Sequence, residues 1–256
     1  MCPENTLTAF EASLGHFDFI ELDVQPAHDG TLMVLHDETM ARTTNIDARS
    51  PLPRPHRIED YDLPMLQGTD AGSWFAHRDP FGAIAAGLVD VGEIAFEPIP
   101  TLSEVLALCH ERRMPLNIEI KDSPTANTEA LLIALLKALS PYREGSIPLL
   151  VSSFNHRYLA RLKELDTTLD LAANVEHTHP SHLLRYLQDL SVIGYHVDAP
   201  LIESTPVAEL IKAGITCGAF TLNNPDEQAL CYGRGFRAVF ADMTNKVYWE
   251  LQRRSS

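Results

Sequence analysis

From Pro100 onward the chain alternates between amphipathic helices and short apolar strands, and this alternation constrains its fold more than any other feature. Each of six predicted strands follows a predicted helix: residues 116–121, 149–154, 169–175, 191–197, 215–222 and 238–242. An earlier strand over residues 17–25 makes seven. Strands that alternate with helices build a parallel sheet, and a chain of about 250 residues suits a (β/α)8 barrel. The sequence therefore predicts an α/β fold of the TIM-barrel class.

Seven strands are one fewer than a closed barrel needs, and an open barrel leaves two unpaired strand edges. The sequence begins with a PENT stretch typical of a loop and the first turn of a helix, with Asn5 or Thr6 as its N-cap. Because a loop and helix normally follow a strand in this architecture, we expect the missing first strand to precede Met1.

Length and composition limit the domain organisation and the classes of partner that this chain can have. Residues 1–256 are predicted to form a single domain, with 45% hydrophobic residues to build its core and a small insertion at about residues 76–99. No apolar run reaches the roughly 18 residues of a membrane span. The net charge of −15, without any basic stripe, argues against a nucleic-acid partner. Four scattered cysteines without a CxxC pair favour reduced thiols and a cytoplasmic location.

Acidic residues occupy the strand ends where TIM barrels place their functional groups. Glu21 and Asp23 share one strand, and Glu119 and Lys121 share another. Residues two apart on a strand point to the same face, so each pair projects together. Three carboxylates at one rim suit a hard divalent cation, Mg²⁺ or Ca²⁺. Surface or salt-bridged acids show the same spacing, so the residues alone leave both interpretations open.

A histidine follows the first strand closely. Residues 32–37 form a second apolar run after an Asp-Gly pair at residues 29–30, which predicts a β-hairpin. A turn centred on that pair would set His36 opposite Asp23. An imidazole there suits acid/base work at neutral pH, and Lys121 suits an anionic substrate, as in phosphoester chemistry. A histidine at this position also occurs as an ordinary hydrogen-bonded polar residue.

Eight motifs follow one another over nearly the whole chain: PENTLTAF, IELDVQPAHDGTLMVLHDETMARTTN, DAGSWF, IPTLSEVL, LNIEIK, VSSFNH, FTLNN and GFRAVFAD. In these motifs the chain resembles the glycerophosphodiester phosphodiesterases, particularly the compact bacterial type. The resemblance implies a metal-dependent TIM-barrel hydrolase of glycerophospholipid metabolism. Such an enzyme converts a glycerophosphodiester into an alcohol and sn-glycerol 3-phosphate and uses Mg²⁺ or Ca²⁺.

The resemblance also implies roles for individual residues. It implies that three acids are the metal ligands: Glu21, Asp23 and Glu119. It makes His36 one of two catalytic histidines and Lys121 a lysine near the phosphate. Phe220 stands where the family usually has a tryptophan that lines the glycerol pocket. Residues 76–99 coincide with a family insertion that covers the site.

One departure from the family concerns the beginning of the chain. Family members have a first strand that ends in His-Arg-Gly shortly before PENT, and this motif carries the other catalytic histidine and a phosphate-binding arginine. Without that strand we expect weak or absent activity. The alternatives are a truncated or degenerate barrel that binds metal or ligand without efficient catalysis, and a phospholipase D-like or phosphoinositide-specific relative. The lack of a basic or amphipathic membrane-facing patch argues against a membrane substrate.

Overall fold

The structure, a computed structural model, describes the chain over four stretches: residues 1–50, 54–123, 126–143 and 147–255. Two compact units are recognised, one of residues 1–149 with Ser255 and one of residues 150–254. The expectation of a single domain with a covering insertion stays a prediction.

The first unit contains a three-stranded sheet in which β1 lies between the other two strands. Its members are β1 (Ile20–Pro26), β2 (Leu32–Val34) and β3 (Leu116–Ile120). β1 pairs antiparallel with β2 and parallel with β3, and the parallel register sets Asp23 opposite Glu119. On β1, Leu22 and Val24 point to one face and are completely buried, while Glu21 and Asp23 point to the other.

The hairpin between β1 and β2 closes with a three-residue loop, residues 28–30, in which Gly30 takes the left-handed φ of 83°. Continuing this register sets Leu35 opposite Asp23, and the Leu35 N–H donates to the Asp23 carbonyl over 3.0 Å. The prediction that His36 lies opposite Asp23 is therefore wrong by one residue. Asp-Gly suits two-residue hairpin loops, but glycine also ends three-residue loops, and the extra residue shifts every cross-strand partner by one.

The described residues of the first unit also form six α-helices: α1 (Leu7–Ser13), α2 (Ile46–Arg49), α3 (Leu63–Gln67), α4 (Trp74–Arg78), α5 (Leu102–Arg112) and α6 (Thr128–Leu139). The Thr6 hydroxyl caps α1 by accepting from the Ala9 N–H. Thr101 and Glu104 form a capping box at the start of α5, so the sequence pattern there fixes where the helix begins. After α5 the chain returns to the sheet at β3, which carries Glu119, and Lys121 follows the strand directly.

The second unit consists of five parallel strands in chain order, each followed by a helix. Its strands are β4 (Leu149–Ser153), β5 (Leu171–Val175), β6 (Gly194–Asp198), β7 (Thr216–Phe220) and β8 (Ala238–Val239). Its helices are α7 (His156–Leu165), α8 (Leu183–Asp189), α9 (Val207–Lys212), α10 (Pro225–Gly233) and α11 (Asn245–Ser255). All five strands fall within three residues of their predicted bounds, whereas α11 was not predicted.

None of the described helices combines the length and the apolar character that crossing a bilayer requires. All four cysteines are free thiols, and Cys109, Cys217 and Cys231 are buried. Burial raises the pKa of each of these three thiols to about 11, which keeps them protonated and unreactive. The cytoplasmic location stays a prediction.

Candidate active site

Three carboxylates meet on one face of the first unit's sheet. Glu21 and Asp23 come from β1 and Glu119 comes from the adjacent strand β3. One oxygen of each lies within 4.8 Å of an oxygen of the other two. Asp23 and Glu119 are buried, and Glu21 is partly buried. The alternation of side chains along β1 and the parallel register with β3 are sufficient to bring these acids together.

Among the described residues, one ammonium group, that of Lys121, lies within this cluster. Lys121 Nζ lies 2.7 Å from Glu119 Oε1 and 3.4 Å from Asp23 Oδ1. Burial alone would lower the pKa of Lys121, but the charges of Asp23 and Glu119 outweigh it and hold the pKa above its usual value. Lys121 therefore stays positively charged. One ammonium against three carboxylates still leaves the group net negative.

The pKa of Glu119 indicates which kind of ion the cluster favours. Burial raises the pKa of Glu119, and the nearby charge of Asp23 raises it further, even though Lys121 acts in the opposite direction. The negative charge is therefore under-compensated. An all-oxygen donor set with excess negative charge fits a hard divalent cation such as Mg²⁺ or Ca²⁺ and disfavours softer metals. Glu21, Asp23 and Glu119 are the residues that could hold it.

Asn5 contacts the cluster and was not predicted as a site residue. Its Nδ2 donates to Asp23 Oδ2 over 2.9 Å. Asn5 has a φ of 54°, a left-handed conformation that asparagine tolerates better than most residues. The bond occupies one edge of the Asp23 carboxylate and fixes its orientation toward the other acids. The sequence does not reveal this contact, because donor and acceptor are 18 positions apart along the chain.

His36 follows β2, and its side chain is about half exposed, at 54%. Its Nδ1 lies 2.8 Å from Asp37 Oδ1. That hydrogen bond raises the pKa of His36, burial opposes the rise, and the negative charge of Asp23 adds to it. The charge of Asp23 therefore acts on the imidazole, although the two residues are not paired across the hairpin.

The remaining predicted site residue, Phe220, ends β7 in the second unit. Its ring packs edge-on against Phe154, with ring centroids 5.6 Å apart. This unit also has a polar chain that the sequence did not predict: His196 Nδ1 bonds Asn174 Oδ1 at 3.0 Å, and Asn174 Nδ2 donates to Ser152 Oγ at 3.4 Å. Burial lowers the pKa of His196 to about 4, so this imidazole is neutral at pH 7.

Replacing Asp37 with asparagine should lower the pKa of His36. The Asp37 carboxylate favours the protonated imidazole, and the amide of Asp37→Asn carries no charge to do so. His36 would then need a lower pH to become protonated, so a pH–rate limb that requires imidazolium should move to lower pH. A pH titration of His36 followed by NMR measures the shift directly. Asp18→Asn, at an exposed position before β1, should leave it unchanged; an unchanged His36 pKa in Asp37→Asn would contradict this account.

A sequence model of the Glycerophosphoryl diester phosphodiesterase family matches residues 1–246. The chain belongs to this family. Membership confirms the TIM-barrel α/β fold class and the class of enzyme that the motifs implied.

Individual proteins that are similar to this chain are also named as phosphodiesterases. A glycerophosphodiester phosphodiesterase of Bacillus altitudinis is 29% identical over 96% of this chain and 91% of that protein. One from Caldanaerobacter subterraneus is 35% identical, over 64% of this chain and 57% of that protein. Among solved structures, an Oleispira antarctica phosphodiesterase in complex with the product sn-glycerol-3-phosphate is similar, with a TM-score of 0.79 and 28% identity. That match covers 98% of this chain and 92% of the other.

Proposed function

We propose that this chain hydrolyses glycerophosphodiesters to an alcohol and sn-glycerol 3-phosphate with the help of a divalent cation, Mg²⁺ or Ca²⁺. The observation that carries the proposal is the convergence of Glu21, Asp23 and Glu119 within 4.8 Å in a member of a phosphodiesterase family. Support for the substrate comes from the names of its relatives and from the sn-glycerol-3-phosphate bound in a related structure.

The acidic cluster would bind the cation and help to bind the phosphate. Glu21, Asp23 and Glu119 would hold the ion, which when bound supplies Lewis-acid polarisation of a phosphoryl oxygen. Asn5 keeps the Asp23 carboxylate oriented through its hydrogen bond. Lys121 is positively charged beside these acids, so its ammonium group would donate a hydrogen bond to a non-bridging phosphate oxygen.

As the P–O bond to the alcohol breaks and a new P–O bond forms to the attacking oxygen, His36 would supply the proton that the leaving alcohol oxygen takes up. Because the Asp37 carboxylate accepts from Nδ1–H, Nε2 is the nitrogen left to exchange a proton with the substrate. The raised pKa of His36 favours the imidazolium form near neutral pH, and this form suits donation of a proton to the departing alcohol oxygen. We propose a substrate-lining role for Phe220 in the second unit.

The proposed reaction is tested by incubating the purified chain with glycerophosphocholine and following sn-glycerol 3-phosphate by ³¹P NMR. Product should form with Mg²⁺ or Ca²⁺, stop on chelation and resume when the cation is restored. A parallel thermal melt measures cation binding independently of turnover. Cation-dependent stabilisation without any product would favour the degenerate, metal-binding barrel. Unchanged turnover in excess chelator would contradict metal dependence.

A further inference from the structure

Arg42 lies beyond the residues so far assigned to the reaction and binds the carboxylate that holds His36. Its Nε lies 2.6 Å from Asp37 Oδ2 and its Nη2 lies 2.7 Å from Asp37 Oδ1. The guanidinium therefore binds both oxygens of Asp37 in a fork, the geometry that fixes a carboxylate most firmly. Asp37 Oδ1 also accepts from His36 Nδ1. His36, Asp37 and Arg42 thus form a continuous hydrogen-bonded chain.

The guanidinium of Arg42 is itself held from two further sides. Its Nη1 donates to Glu4 Oε2 over 2.8 Å, and its Nη2 also contacts Glu4 Oε1. The Arg42 guanidinium carbon lies 5.8 Å from the ring centroid of Trp74, within the range of a cation–π contact. The Trp74 ring is buried and donates its Nε1–H to the Ala71 carbonyl over 3.0 Å, so it is a fixed platform.

We propose that Arg42, anchored by Glu4 and Trp74, is a positioning residue that fixes the Asp37 carboxylate and thereby holds the His36 imidazole in its Nδ1–H tautomer. This inference rests on the proposed function for its catalytic meaning, but the tautomer is a property of the folded chain alone. A salt bridge that only linked Arg42 to the fold, without orienting Asp37, would leave the His36 tautomer unaffected.

The charges around His36 support this assignment. Although burial raises the pKa of Asp37, hydrogen bonds from His36 and Arg42 hold it well below its usual range. Asp37 is therefore an anionic acceptor, and the His36 nitrogen that faces it must carry hydrogen. The other charged groups that act on His36 are Asp23, on β1, and Lys121, which follows β3. The partner that faces Nδ1 at 2.8 Å is Asp37 Oδ1, so Asp37 determines which nitrogen carries the hydrogen.

The test replaces Arg42 with glutamine and reads the His36 tautomer from its ring ¹⁵N shifts in histidine-labelled protein, at a pH high enough for the imidazole to be neutral. In the unmodified chain, neutral His36 should carry its proton on Nδ1. In Arg42→Gln the Asp37 carboxylate loses its fork, and the population should shift toward the Nε2–H form. Turnover of glycerophosphocholine should fall about tenfold to hundredfold through kcat, with little change in KM, as for other residues that orient an acid/base group.

Arg57→Gln is the matched control. Arg57 is a similarly exposed arginine of the same unit (29% against 37% for Arg42), and it likewise contacts two carboxylates, those of Glu38 and Glu59. Neither the tautomer nor kcat should change in this variant. Glu4→Gln removes only the anchor of Arg42 and should cause the same tautomer shift to a smaller extent. It therefore supplies the test if Arg42→Gln fails to fold.

An unchanged His36 tautomer in folded Arg42→Gln, or in Glu4→Gln if that variant alone folds, would overturn the positioning role. A tautomer shift in a chain that hydrolyses no glycerophosphodiester would uphold the positioning role and refute the proposed function. A loss of kcat without a tautomer shift would mean that Arg42 acts by another route, and this too would overturn the inference.

Discussion

Glu119→Gln is expected to lower kcat for glycerophosphodiester hydrolysis by about a thousandfold, because a metal site contributes several kcal/mol of transition-state stabilisation and each factor of ten is about 1.4 kcal/mol. The variant keeps the shape of the side chain but removes one of three converging carboxylates. The variant should no longer show an increase in melting temperature on adding Ca²⁺ or Mg²⁺. Initial rates and thermal melts with and without chelator measure both effects.

The same variant should melt at a higher temperature than the unmodified chain when both are stripped of metal. Burial and the charge of Asp23 raise the pKa of Glu119, so the folded state disfavours its ionised form and a neutral amide relieves that cost. Glu11→Gln, on the exposed face of α1, serves as the control and should alter neither the melt nor the rate. Equal cation-induced stabilisation of Glu119→Gln and the unmodified chain would contradict the metal assignment.

His36→Gln is expected to lower kcat by about a hundredfold to ten-thousandfold, the usual contribution of a general acid or base. Glutamine retains polarity but cannot transfer a proton near neutral pH. Cation-induced stabilisation should persist, because the acidic cluster of Glu21, Asp23 and Glu119 does not include the imidazole. Rate measurements at saturating substrate and thermal melts with Ca²⁺ measure the two effects separately.

The control for this substitution is His28→Gln. His28 lies in the exposed hairpin loop, and its replacement should leave turnover unchanged. A His36→Gln variant with activity within about twofold of the unmodified chain would remove His36 from the mechanism. A variant that no longer responded to Ca²⁺ would instead place the imidazole in the metal site.

Periodicity was sufficient to predict most of the sheet. Strand and helix patterns differ in period, and the turns between them are short, so the order of elements follows from local sequence. The hairpin register does not follow from local sequence, because the Asp-Gly pair is compatible with loops of two and three residues. The three-residue loop with Gly30 in a left-handed conformation moves Leu35, rather than His36, opposite Asp23. A one-residue shift of this kind depends on contacts that the turn sequence does not encode.

The acidic cluster was predictable for the same reason as the strands. Glu21 and Asp23 are two residues apart on one strand, and the neighbouring parallel strand brings Glu119 beside them. The contacts that orient the cluster and the histidine were not predictable. Asn5 reaches Asp23 across 18 residues and Arg42 reaches Glu4 across 38, and neither pair has a local sequence pattern. Such contacts arise only from tertiary packing.

Anomalous diffraction from crystals soaked in Mn²⁺ tests the central claim most directly, because it locates the ion without relying on activity. Mn²⁺ prefers the same oxygen ligands as Mg²⁺ and gives a measurable anomalous signal. The account predicts an anomalous peak for a Mn²⁺ ion that is bound jointly by carboxylate oxygens of Glu21, Asp23 and Glu119. A soaked crystal with no peak at these carboxylates, or with its peak at other residues, would contradict it.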